Sequence, residues 1–423
     1  MNTLVSRRTF LKSGGALIVG LGLPQTGAAQ RVAGADAALG KPLDVADVDG
    51  FIAVHADSSV TIYCGKVDLG QGLRIAIPQM AAEQLGVGIG RITMIEGDTG
   101  LTPDQGPTAG SSGVMRGGVQ IAQAAATARE ALIGIAAERT GRPRAELEAI
   151  EGEVRPRGGG KGVPFGQLVG DKRFQIKVDA KAPLRSPENY TVVGKPLPRP
   201  DVPGKVTGRH LYMHDLKIER MLHGRVIRPA AVGAKLVAVD EASIKAVPGA
   251  RIVRVKDFLG VVAESEWDAE SAARMLKVTW SESNALMGSG AVRAWLRAGP
   301  FEADQSLVKK GDVGQALAGA AKRLSAEYYW PIQTHGSMGP SCAVADVRAG
   351  KATIWSASQA THRFRGTIAR LLEMPNDAVR VIYLDGSGCY GMNGHDDAAA
   401  DAALLSRAVE RPVRVQWTRA DEH

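Results

Sequence analysis

Cysteine is scarce in this chain of 423 residues: Cys64, Cys342 and Cys389 stand far apart, with no C-x-x-C pair. That spacing excludes an iron–sulfur cluster held by this polypeptide alone. A disulfide would use two of the thiols and strand the third; three separately buried thiols is the simpler expectation. No run of basic residues carries interleaved aromatics, so nucleic-acid binding finds no support. No apolar stretch is long enough to span a bilayer. Histidine, cysteine and carboxylate residues never fall at metal-ligand spacing, and no G-x-S-x-G nucleophile turn occurs.

What is present is the composition of an ordinary globular protein, 44% hydrophobic and 23% charged, long enough for two to four domains. The 51 glycines gather in loops and form no repeat. Residues 1–29 read as a twin-arginine export signal: Ser6-Arg7-Arg8-Thr9-Phe10-Leu11-Lys12, the apolar run Ala16–Leu23, then the small residues Gly27-Ala28-Ala29 at a cleavage position. Such a signal addresses a folded protein to the periplasm. The formal charge of +8 falls to about +5 once the three leader cations are removed.

Three units are expected behind the leader. Residues 48–188 open with the alternation FIAVHADSSVTIYC, two strands about a turn at Asp57-Ser58-Ser59. A helix through Met80 and Leu85 follows, which Pro78 should start or kink. A strand is expected at Arg91–Glu96, a long Gly/Ser/Thr/Pro loop at 97–118, and an alanine-rich helix at Gln120–Glu138. After the extended, Pro/Gly-rich stretch 191–208, residues 190–284 alternate strands (222–227, 251–255, 261–263, 277–280) with short helices (241–246, 268–275), an α/β pattern. A linker near 284–310 leads to residues 300–423. There, strands are expected at 326–330, 342–347, 351–356, 379–384 and 412–417, with helices at 361–372 and 398–409. A sheet ending on Pro412–Trp417 would leave an edge to cover, which suggests a continuation or a partner.

Four glycine- and hydroxyl-rich pieces carry the chemistry. Gly386-Ser387-Gly388-Cys389-Tyr390-Gly391 matches G-x-G-x-x-G, but the next helix starts too late for a dinucleotide fold, after Asp396-Asp397, which read as its cap. Gln359 ends the polar string Trp355-Ser356-Ala357-Ser358-Gln359 about thirty residues earlier. Gly65-Lys66-Val67-Asp68-Leu69-Gly70-Gln71-Gly72 and Thr108-Ala109-Gly110-Ser111-Ser112 are loops able to offer unhindered amides and hydroxyls to an anion. A fifth segment outside these four, His335-Gly336-Ser337-Met338-Gly339-Pro340, precedes the strand at 342. His335 and His362, each alone, read as structural histidines.

In this order the pieces resemble the xanthine dehydrogenase / aldehyde oxidoreductase family, closest in look to the isoquinoline 1-oxidoreductase large subunits. The resemblance implies an α+β / α/β multidomain fold, with molybdopterin-binding domains flanking an α/β hammerhead domain at 190–284. It implies cofactor-binding roles for Leu69, Gly70, Gln71 and Gly72, for Thr108, Ala109, Gly110, Ser111 and Ser112, for Gln359, and for Gly388, Cys389, Tyr390 and Gly391. Gln359 would hydrogen-bond an oxo ligand of the molybdenum, which pterin sulfurs hold without side-chain ligands. Cys389 stands where the family usually has phenylalanine, and Gly339 where it has glutamate.

The implied cofactor is molybdopterin, as the cytosine dinucleotide, with molybdenum. The implied reaction is hydroxylation of an N-heteroaromatic or an aldehyde by water. Electrons would leave to 2Fe-2S clusters on a small subunit and on to a cytochrome c. No catalytic residue is assigned in this chain, because the family's glycine-flanked glutamate motif and arginine loop have no match here. Either a second polypeptide or further sequence completes the site, or the chain is a non-catalytic cofactor-binding or assembly module.

Overall fold

The computed structural model describes residues 41–170 and 172–422. The export signal expected at 1–29 lies outside them. In chain order the first stretch carries β1 (Ile52–Val54), β2 (Val60–Cys64), α1 (Leu73–Leu85) and β3 (Ile92–Glu96). Then come α2 (Val119–Thr140), β4 (Leu147–Ile150), β5 (Glu153–Pro156) and β6 (Val163–Pro164). The middle carries β7 (Leu222–Val226), β8 (Leu236–Asp240), β9 (Arg251–Val255), β10 (Phe258–Ala263), α3 (Glu266–Met275) and β11 (Lys277–Trp280). The last stretch carries β12 (Cys342–Arg348), β13 (Lys351–Ser356), α4 (Thr361–Leu371), β14 (Val379–Tyr383), α5 (Asp397–Val409) and β15 (Val413–Gln416). The fold is thus mixed helix and sheet, as expected.

The chain forms two compact units. The first takes residues up to Leu216 together with 355–388 and 393–395. In it, β1 and β2 make the anticipated hairpin, and β2 pairs parallel with β3 through the α1 crossover. α1 and α2 close over this sheet on a core of Phe51, Ile52, Ile62, Ile77, Leu85, Ile121 and Leu132. Alanines at 124, 125 and 128 are buried there and let the helices approach closely. α1 runs through Pro78 and begins five residues before it, so Pro78 does not start it. The loop expected over 97–118 is only partly a loop: Gly113–Gly118 winds into a single π turn continuous with α2. Glycines permit this, since a Cβ at Gly118 would sit 2.6 Å from Met80 Sδ, and one at Gly113 2.9 Å from Leu73 Cδ1. The stretch 191–208 is not extended throughout, because Val202–Val206 forms one helical turn.

The second unit spans 217–354, 389–392 and 396–423. Six strands lie in the order β13–β12–β15–β7–β10–β9. β15 pairs antiparallel with β12 and parallel with β7. This corrects the expected open edge: β15 is internal, because β7 arrives from nearly two hundred residues earlier to fill its free side. α5 covers the sheet, with Leu405 seated over glycines 224 and 260, where a Cβ would come within 2.6 and 2.8 Å of its methyls. β8 and β11 form a separate two-stranded antiparallel sheet, of which only the β11 strand was expected. The strand expected at Ala326–Trp330 does not form: Tyr328, Trp330 and Ile332 are 76–83% exposed. Tyrosine and tryptophan favour strands only when a neighbouring strand accepts their backbone and packs their faces.

Candidate cofactor-binding site

The first unit brings together three of the four glycine and hydroxyl motifs. β2 ends at Cys64, and the chain then turns through Gly65–Gly72 into α1. Asp68 organises that turn. Its buried carboxylate accepts the amides of Gly70 (2.8 Å), Gly72 (3.1 Å) and Arg74 (2.9 Å). Its own amide donates to Glu96 (2.8 Å) and its carbonyl accepts the Tyr383 hydroxyl (2.6 Å). Gly70 and Gly72 have φ of 115° and 93°, which a side chain would strain. Gln71 folds back, accepting from the Leu69 amide (2.6 Å) and donating to the Val67 carbonyl (3.1 Å).

The loop Thr108–Ser112 lies against the strand leading into this turn. Thr108 Oγ1 accepts the Val67 amide (3.0 Å), and Gln105 Oε1 accepts the Gly65 amide (2.8 Å). On its other side the loop is stitched to Gln359. The Thr108 amide donates to the Gln359 carbonyl (2.7 Å), and Gln359 Nε2 donates to the Thr108 carbonyl (2.9 Å). The Gln359 amide in turn donates to the Asn393 carbonyl (3.2 Å). Leu69–Gly72, Thr108–Ser112 and Gln359 are therefore neighbours within one body.

The last motif divides. Gly386–Gly388 belongs to the first unit, with Gly388 at φ 115°, and Cys389–Met392 to the second. Cys389 is buried, Tyr390 is 61% exposed, and a Cβ at Gly391 would meet His335 Nε2 at 3.0 Å. All three thiols are buried and none is in a disulfide, as expected. Asp396 occupies the N-cap position of α5 in a left-handed conformation. Burial pushes its carboxyl up to about 7. His362 donates to or accepts from Thr102 Oγ1 at 3.2 Å, and burial pushes its imidazole down to about 4.

Residues outside the glycine and hydroxyl motifs hold this arrangement. Arg74 is buried, with Nε on Glu96 (2.5 Å) and both terminal nitrogens on Asp385. Asp385 also meets His210 Nε2 (2.7 Å) and Lys205 Nζ (3.4 Å). Burial opposes the Asp385 charge, yet Arg74, Lys205 and His210 together hold its pKa below the ordinary carboxylate value. The signal for Asp68 was legible, an acid two residues before a glycine turn. Arg74 and Asp385 are 311 positions apart and had none.

The molybdopterin cofactor-binding domain is matched twice, over residues 26–210 and over residues 300–423. One of the subunits of nicotinate dehydrogenase from Pseudomonas putida is 43% identical over 383 residues, covering 88% of this chain and 32% of that protein. The beta subunit of isoquinoline 1-oxidoreductase from Brevundimonas diminuta is 25% identical over 484 residues, covering 99% of this chain and 60% of that protein. The chain thus spans between about a third and three fifths of the length of these relatives. Quinoline 2-oxidoreductase from Pseudomonas putida 86 overlays 54% of this chain and 35% of its own, with a TM-score of 0.44 at 22% identity. The chain belongs to the molybdopterin-binding large subunits of the xanthine dehydrogenase / aldehyde oxidoreductase family.

The residues present fit such a group. Ser387 Oγ and Trp355 Nε1 are buried without a hydrogen-bond partner among the described residues. Burying a polar atom unpaired is costly, so an external partner is the economical explanation. Over Gly70 and Gly110 an added Cβ would meet nothing within 4 Å, which leaves the backbone there open to a ligand.

Proposed function

We propose that this chain is the cofactor-holding part of a molybdenum hydroxylase that oxidises an N-heteroaromatic compound, a pyridine carboxylate such as nicotinate before an aldehyde. The single observation carrying the reading is the joining of Leu69–Gly72, Thr108–Ser112 and Gln359 into one hydrogen-bonded cluster. The 43% identity to a nicotinate dehydrogenase chain supports the substrate class. When bound, the cofactor supplies the oxidation itself: the substrate C–H and water become C–OH, with two protons and two electrons released.

The chain's own residues bind and orient. The Asp68-organised turn and the Thr108–Ser112 loop offer amides and hydroxyls to the pterin and its nucleotide, in cytosine form. Gln359, its side-chain nitrogen held by the Thr108 carbonyl, would donate the other hydrogen of that nitrogen to the bound cofactor. Gly386–Gly388 offers backbone to the same ligand. A proton-accepting glutamate would come from further sequence or from a second polypeptide. Electrons would pass to a 2Fe-2S small subunit and then a cytochrome c, after export by the twin-arginine route to the periplasm.

The test is native purification with co-purifying chains, followed by molybdenum analysis and acid release of the nucleotide. Near one molybdenum and one cytidine nucleotide per chain, with a 2Fe-2S partner, is the expected result. Folded protein with neither, from cells supplied with molybdate, would overturn the reading and leave a non-catalytic module.

A further inference from the structure

Lys66 is a buried cation of the first unit that makes no ion pair among the described residues. It is 2% exposed. Its Nζ donates to the Pro107 carbonyl (2.8 Å) and to Ser112 Oγ (3.2 Å), both neutral. Among the described residues no carboxylate forms an ion pair with it, whereas buried Arg74 has Glu96 and Asp385, and Arg129 has Glu130. The charged and titratable groups that bear on it are Arg116, Asp104 and the Cys64 thiol, and burial outweighs them all, lowering its pKa. An ammonium has three donors, of which two are used. A buried charge without a counter-charge is expensive, and proteins seldom keep one unless something supplies the opposite sign.

The surroundings show what that would be. The loop over Lys66 is exposed at Ala109, Gly110 and Ser111, and the amides of these three residues donate to no backbone carbonyl among the described residues. Gly110 and Ser111 both have positive φ, 58° and 57°, and a turn of this kind can gather successive amides into an anion-binding concavity. The loop opens directly into the π turn and α2, a continuous helical run of 113–140, whose N-terminal end favours negative charge. The Lys66 stem reaches this place across Gly117, where a Cβ would stand 2.6 Å from Lys66 Cγ.

We propose that Lys66 is the counter-charge of a pyrophosphate held at Ala109–Ser112, the bridging group of the cofactor's dinucleotide. The assignment rests on the reading of this loop as a cofactor loop. Lys66 is a positioning residue from beneath: its third N–H and the loop amides share the phosphate oxygens, and the anion supplies the ion pair that no described residue makes.

The experiment uses the full chain, wild type and Lys66→Met, each prepared with and without molybdate in the growth medium. Urea unfolding is followed at pH 7 with and without inorganic pyrophosphate, and acid-released nucleotide is quantified per chain. The cofactor-free Lys66→Met variant is expected to be at least as stable as wild type, because it removes an unpaired buried charge. It should lose the stabilisation that pyrophosphate gives the wild type, and retain at least tenfold less nucleotide. Gly117→Ala, which displaces the stem, should weaken the pyrophosphate response in the same direction.

A variant with wild-type nucleotide retention and an unchanged pyrophosphate response would overturn the assignment. So would a cofactor-free variant markedly less stable than wild type, which would make Lys66 a structural donor to Pro107 and Ser112. Absence of nucleotide from wild type as well would count against the proposed function alone, since the pyrophosphate response still decides Lys66.

Discussion

Replacing Arg74 with methionine should be the most damaging single change in the first unit. The guanidinium makes three charge-assisted bonds, one to Glu96 at 2.5 Å and two to Asp385. Methionine fills most of the volume but leaves two buried carboxylates facing each other. Removing one partner of a buried ion pair costs about 3–5 kcal/mol. Lys205 and His210 still face Asp385, and Glu96 still accepts the Asp68 amide, so the loss should stay in that range. For a body of this size about 2–4 °C of melting temperature accompanies each kcal/mol, which gives a fall of about 6–20 °C.

The pH dependence has a definite sign. The Asp385 pKa is depressed in the folded state, so its stabilisation is present above the unfolded value, about 3.9, and lost as pH falls through the folded one. Arg74→Met should flatten that acid-side loss. The assay is urea unfolding read by hydrogen-exchange mass spectrometry on peptides from α1 and β14, since two units need not unfold together. Arg74→Met, Asp385→Asn and the double variant form a cycle, and the double should cost clearly less than the two singles added. Additive effects, or a loss below about 1 kcal/mol for Arg74→Met, would refute the view that this network anchors α1 to the segment ahead of Gly386.

Asp396→Asn should stabilise the second unit at pH 8 by about 2–4 kcal/mol, because the folded carboxyl is raised to about 7 and its ionisation is penalised above that. The gain should shrink to about a few tenths of a kcal/mol at pH 4, where the folded acid is protonated and the unfolded one about half so, and asparagine tolerates the left-handed φ of 46°. Thermal melts across that pH range decide it, and a gain independent of pH would point to another cause. Gly97→Ala places a Cβ 2.4 Å from Val67 Cγ1 and 2.7 Å from Tyr383 Cβ at φ 59°. It should cost about 2–5 kcal/mol by calorimetry, from strain plus overpacking. Gln359→Ala removes the 2.9 Å bond to the Thr108 carbonyl but keeps the 2.7 Å backbone bond. A loss of about 1 kcal/mol should then accompany a disproportionate fall in molybdenum content, and an unchanged metal content would remove Gln359 from the site.

Local signals were reliable where the deciding interactions are local. The β1–β2 hairpin follows from alternation and its Asp-Ser-Ser turn, and α2 from its run of alanines. The Gly70–Gly72 turn was legible because glycines at left-handed φ and an acid just before them are one short-range device. Signals failed where a distant segment decides. The Gly113–Gly118 π turn reads as loop, because glycine is a poor helix former and only packing against Leu73, Met80 and Lys66 favours it. Ala326–Trp330 has strand chemistry and no strand beside it. Lys66 carries no local signal of its own, since nothing in its neighbours says that no acid will come to meet it.

The sequence by itself determined the family, the glycine and hydroxyl loops and most element positions. These depend on residue types at short spacing, where backbone freedom and periodicity act directly. Only the tertiary structure decided which charges are buried and with whom. It brought Arg74 to Asp385, placed β15 beside β7, tied Thr108 to Gln359 and buried Lys66 with no ion pair among the described residues. Burial and pairing belong to surfaces that meet across hundreds of residues, and the energy of a charge depends on that meeting rather than on its place in the chain.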